Sequence, residues 1–199
     1  MTGVQTCALP IYSLGSYRQA IEYYDKRITL GIDSAQAGIL KNAAYCALNI
    51  ADAASKGSGA DGGEAYEDPE FAETAAEPAD PKAYYLSGAD YMTRYLQYAP
   101  GDTAILKRTG YTYLYSLADC ANGVQYYQKV LQLDPNNCEA LKSIGFAYFG
   151  GLCSKDYSKA IEYLTRANSC YNGSSACGDE ITMLWLAQAY HLRAADKLK

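Results

Sequence analysis

Residues Asn122–Phe149 read NGVQYYQKVLQLDPNNCEALKSIGFAYF. Two segments of helical period lie on either side of Asp134-Pro135. In the first, small Gly123 is followed four residues later by large Tyr127. In the second, Leu141, Ile144, Gly145 and Tyr148 share one helix face. Proline cannot continue a helix, so the stretch predicts a helix, a stop at Asp-Pro, and a second helix.

Both halves recur along the chain. SYRQAIEYYDKRITL at 16–30 and DYSKAIEYLTRANSC at 156–170 repeat the small-then-large helix, with Ala20 before Tyr24 and Ala160 before Leu164. YYLSGADYMTRYLQYAPGD at 84–102 is a weaker copy built on Gly88 and Met92. LKNAAYCAL at 40–48, LKRTGYTYL at 106–114 and MLWLAQAY at 183–190 repeat the other half. Gly110 to Gly145, Gly88 to Gly123 and Pro100 to Pro135 are each 35 residues apart. A period of that length predicts one supersecondary unit used repeatedly, stacked because each pair buries only one side alone.

The pattern resembles the tetratricopeptide repeat, a helix–turn–helix unit of about 34 residues. The resemblance implies an all-α fold, a right-handed α-α superhelix of antiparallel helix pairs. The expected division is a half repeat at 12–33, a repeat at 34–100 interrupted by an acidic insertion at 55–81, repeats at 101–136 and 137–172, and a half repeat at 177–199. Residues 1–11, MTGVQTCALPI, share no period with anything downstream and resemble a translated sequencing adapter; the chain is read as a fragment of a longer bacterial protein.

The formal net charge of −5 is unevenly placed. Gly57–Pro81 holds eight acids and no Lys or Arg, which leaves 14 acids against 17 bases elsewhere. That balance lacks the Lys/Arg density of a nucleic-acid binder, and the acidic run reads as a solvated loop. No apolar run reaches the ~18 residues of a membrane span.

No catalytic constellation is present. The one histidine, His191, excludes a two-histidine zinc site within these residues and reads as an exposed helical residue. No phosphate-binding loop or calcium loop occurs, and no metal or cofactor is expected. Trp185 falls on an apolar helix face and reads as core. Outside residues 1–11 there are six cysteines and no C-x₂-C pair. Cys120, Cys153, Cys170 and Cys177 fall in expected turns. Cys120 and Cys153 lie at one edge of the stack, with Cys138, Cys170 and Cys177 at the other. These five are the disulfide candidates, and they favour a bacterial periplasm or envelope over the cytoplasm.

In the family that the chain resembles, the first helix of each pair lines a concave groove for an extended peptide or partner helix. Here those helices carry Lys41 and Tyr45, Lys107 and Tyr111, and Lys142 and Phe146. Each pair is four residues apart and shares a face. A lysine ladder beside an aromatic ladder suits an acidic partner segment with apolar anchors. Tyr45, Tyr111 and Phe146 stand where a carboxylate clamp would need polar side chains. The function expected is a non-catalytic protein-interaction scaffold. The alternative is a regulatory or substrate-docking region of a larger enzyme.

Overall fold

The computed structural model describes residues 14–56, 80–172 and 179–198. Residues 1–11, Cys177 and nearly all of the acidic insertion lie outside them. The described residues are all-α, and no strand occurs among them. The helices are α1 (Leu14–Thr29), α2 (Gly38–Ser55), α3 (Pro81–Tyr98), α4 (Thr103–Tyr111), α5 (Cys120–Leu133), α6 (Cys138–Gly150), α7 (Tyr157–Asn172) and α8 (Glu180–Asp196). A short 3₁₀ turn at Ser34–Gln36 precedes α2, and a π-helical turn at Thr112–Ser116 extends α4.

Local chemistry sets the helix starts. Asp102 accepts from the Ile105 N–H, Asp119 from that of Asn122, and Asn137 from that of Ala140, each at 3.1 Å. These side chains satisfy amides that have no carbonyl partner in the first turn. Pro81 opens α3, where its missing N–H costs nothing. At the other end of a helix, α5 stops where Asp134 turns extended before Pro135, and α6 stops at Gly151 with φ +81°.

The chain divides between Tyr98 and Ala99 into two compact units. In the first, α2 and α3 run antiparallel: Lys41 lies by Tyr95, Leu48 by Gly88, and Asp52 by Tyr85. Their core is made of small and aliphatic residues and a methionine, among them Leu40, Ala44, Leu48, Ile50 and Met92. Tyrosine hydroxyls of α3 close its edges. Tyr85 donates to Asp52 Oδ1 at 2.7 Å, Tyr91 donates to Asp25 of α1, and Tyr98 to the Ile32 carbonyl. Burial and the Asp25 carboxylate together push the Tyr91 phenol well above its usual range.

In the second unit the same antiparallel register recurs. A Cβ on Gly145 of α6 would meet Leu164 Cγ of α7 at 2.7 Å. One on Gly123 of α5 would meet the Leu114 Cβ, Cα and N at 2.7, 2.9 and 2.9 Å. Glycine is needed at both because a neighbouring helix occupies the space a side chain would fill. The connection into α5 is short: Gly110 to Gly123 spans 13 residues, against 15 from Gly145 to Ala160. Within this connection lie the π turn and Ala118, which passes through the left-handed region at φ +54°. Ala118 is the one non-glycine with positive φ among the described residues, a conformation that costs an L-residue about 1 kcal/mol.

Gly123→Ala is expected to destabilise the protein by about 1–2 kcal/mol, because the atoms in its way are backbone and overpacking outweighs the helix-propensity gain. Gly38, with nothing near it, is the control: Gly38→Ala should be neutral or stabilising by up to about 1 kcal/mol. Chemical denaturation of both variants checks the contrast.

Candidate functional site

The second unit gathers aromatic side chains on α4, α6 and α8. Tyr111 packs on Tyr115 of the π turn with ring centroids 4.8 Å apart, and Tyr115 stacks towards Phe146 of α6 at 6.3 Å. Phe146 meets Trp185 of α8 at 4.3 Å. Tyr111 is 47% exposed and the other three are half-buried, so the row has one face on protein and one on solvent. Tyr115 and the buried Tyr127 both lie near Ser143. Burial pushes both phenols up, and the Ser143 hydroxyl only partly offsets it.

The lysines of the same helices are paired. Lys107 Nζ of α4 donates to Glu139 Oε2 in the first turn of α6. Lys142 Nζ of α6 donates to Asp179 Oδ2, the residue that opens α8, and also lies 5.5 Å from the Trp185 ring centroid. Asp179 accepts from the Thr182 hydroxyl as well, at 2.6 Å. Burial raises the Asp179 carboxyl, but hydrogen bonds from Lys142 and Thr182 outweigh it and hold the group below its ordinary range. Lys107 and Lys142 therefore tie α4 to α6 and α6 to α8 instead of standing as an uncompensated positive row.

Of the residues singled out from the sequence, Lys107, Tyr111, Lys142 and Phe146 share this surface. Lys41 and Tyr45 belong to α2 in the first unit, where Lys41 lies 5.5 Å from the Tyr95 ring centroid and Tyr45 is exposed. Sequence reasoning passed over Tyr115, whose place one helical turn after Tyr111 was the available signal. It also read Trp185 as core. Trp185 does pack against the buried Ala160, Ile161, Leu164 and Ala189, but it stays half-exposed beside Phe146 and joins the row.

Two disulfides flank the surface. Cys120–Cys153 joins the start of α5 to the α6–α7 turn with Cα atoms 5.2 Å apart, and Cys138–Cys170 joins the start of α6 to the end of α7 at 5.7 Å. Of the described cysteines expected in turns, Cys153 is in one; Cys120 opens a helix capped by Asp119, and Cys170 lies within α7. Cys46 is free and buried, and burial raises its thiol. Among the described residues no group of three or more His, Cys, Asp or Glu could hold a metal ion, and no helix is long and apolar enough to cross a membrane.

Antiparallel helix pairs closed at small residues, with the α4–α5 pair followed by the α6–α7 pair 35 residues on, decide the fold type. The fold is tetratricopeptide-like. No family model matches the chain, and no curated protein matches it. Solved structures similar to it include MamA MSR-1, with a TM-score of 0.48 and 14% identity over 92% of this chain and 88% of that one. MamA AMB-1 is similar at a TM-score of 0.46 and 15% identity, over 91% of this chain and 82% of that one.

Two predictions follow the chemistry of this unit. Each disulfide closes a loop of 32 or 33 residues, for which chain entropy gives about 4 kcal/mol. Reduction should lower the thermal midpoint by about 10 °C or more, and mass spectrometry of the unreduced protein should recover the peptide pairs 120/153 and 138/170. For Asp179 the folded pKa is depressed, so its stabilisation is present above the unfolded value of 3.8 and is lost as pH falls through the folded value. Asp179→Asn should therefore flatten the loss of stability below pH 3.8, measured as thermal midpoint against pH.

Proposed function

We propose that the protein is a non-catalytic interaction scaffold that holds a peptide or partner helix against the α4–α6–α8 face. The observation that carries this is the continuous row Tyr111–Tyr115–Phe146–Trp185. Half-exposed aromatics of this kind present large contact area at little cost in side-chain entropy. Because Lys107 and Lys142 are already matched by Glu139 and Asp179, apolar anchors are the main recognition element. Acidic groups on the partner are secondary, since they would compete with carboxylates already in place. The two disulfides support an oxidising compartment such as the bacterial periplasm.

Trp185 is the sole tryptophan, so its emission reports directly on this face. Peptides selected from a random display library on the immobilised protein should shift that emission on titration. Their affinity should fall at least about tenfold, or 1.4 kcal/mol, in both Tyr111→Ala and Phe146→Ala, and change little with salt. Selected peptides that leave Trp185 unmoved and bind both variants as tightly as the parent would place recognition elsewhere.

A further inference from the structure

Between the two helix pairs of the second unit the aromatic row crosses at a single step. Tyr111 and Tyr115 belong to the α4–α5 pair and Phe146 to the α6–α7 pair, so Tyr115–Phe146 is the joint. At 6.3 Å it is also the widest of the three ring-to-ring steps. Whether the row is continuous therefore depends on how these two pairs sit against each other.

The two disulfides stand differently to that joint. Cys120–Cys153 spans it, from the start of α5 to the turn after α6. Backbone hydrogen bonds carry the link on towards the rings. The Asp119 N–H, next to Cys120, donates to the Tyr113 carbonyl at 2.7 Å, inside the π turn that holds Tyr115. The Cys153 N–H donates at 3.0 Å to the carbonyl of Ala147, the neighbour of Phe146. Tyr115 and Phe146 are thus joined through a closed run of covalent and hydrogen bonds as well as by their own contact. Helix packing brings the two cysteines within reach, and the bond then limits how far one pair can shift on the other. Cys138–Cys170 instead lies inside the α6–α7 pair, whose register is already set where Gly145 meets Leu164.

We propose that the Cys120–Cys153 disulfide is a redox latch on the aromatic row. It holds Tyr115 and Phe146 at stacking distance, so a partner binds tightly only while this bond is oxidised. The proposal rests on the reading of the row as the binding face. Cys120 and Cys153 are positioning residues, acting through the segments they join, whereas Cys138–Cys170 stabilises the fold without setting recognition. A dithiol opens the latch. Cys120 is half-buried and Cys153 only 6% exposed, so the thiolate of the dithiol attacks the Cys120 Sγ and Cys153 leaves as a thiolate. The second sulfur of the dithiol then displaces Cys120. Two electrons pass to the protein sulfurs, each takes up one proton, and the dithiol departs as its own disulfide.

Peptides selected on the oxidised protein, and seen to shift Trp185 emission, are the probe. Cys120→Ser combined with Cys153→Ser should weaken them about tenfold, an ordinary size for coupling between two sites. Cys138→Ser combined with Cys170→Ser is the control. Its loop of 32 residues against 33 costs the same chain entropy, yet affinity should hold within about twofold. A second measurement needs no variant and decides alone should either double variant lose its helical signal. Linkage is reciprocal, so bound peptide must protect the latch from reduction by the factor that oxidation adds to affinity. The parent is equilibrated in mixtures of reduced and oxidised dithiothreitol, with and without saturating peptide; its thiols are trapped by alkylation and assigned by mass spectrometry. Peptide should raise the reduced-to-oxidised ratio that half-opens 120/153 about tenfold and leave that of 138/170 unchanged. Equal affinity of the two double variants, or equal protection of both bonds, overturns the proposal and leaves the row standing as the binding face. Peptides that bind without moving Trp185 emission overturn the row itself, and the latch with it.

Discussion

Close approach between helices is the constraint on which the rest of this structure depends. In each unit an antiparallel pair meets where a small residue on one helix faces a large one, or the backbone itself, on the other: Gly88 against Leu48, Gly123 against Leu114, Gly145 against Leu164. That spacing leaves no room for a Cβ, so the residue type at those positions is set by the partner helix. Once each pair is fixed in register, the outward face of its first helix is fixed too. The aromatic row on α4, α6 and α8 is therefore a consequence of packing behind it.

Charge serves the same end. Lys107 and Lys142 each reach to a carboxylate on the next first helix, so they hold that spacing without leaving a strong field over the aromatics. Exposed ion pairs of this sort contribute little individually. The disulfides act on a different quantity. By linking α5 to the α6–α7 turn and α6 to α7, they restrict the unfolded chain as well as the folded one, although the closeness of their Cα atoms already follows from helix packing.

Much of this was legible in the sequence, and the reason is that the packing rule is local. A small residue followed four positions later by a large one is visible in Gly123 and Tyr127 or Ala160 and Leu164, and it predicts both the all-α class and the face that packs. The π turn at Thr112–Ser116 was not legible. It is a local change of hydrogen-bond register, and nothing in TYLYS announces that. The partners of the lysines were hidden for another reason: Glu139 and Asp179 lie 32 and 37 residues beyond Lys107 and Lys142, and only tertiary packing brings them near. Trp185 meets its expectation in part: it packs on the α7–α8 core yet stays half-exposed, and half-burial looks like burial in a hydrophobic pattern.

The central claim is that the register of each pair is set at a small residue held against its neighbour. Nuclear Overhauser contacts measured on the intact, oxidised protein test it most directly. Strong cross-peaks are predicted from the Gly145 Hα protons to the Leu164 methyls and from the Gly88 Hα protons to the Leu48 methyls. Their absence, with those leucine methyls instead contacting residues a helical turn away from the glycines, would contradict the register and with it the placement of the aromatic row.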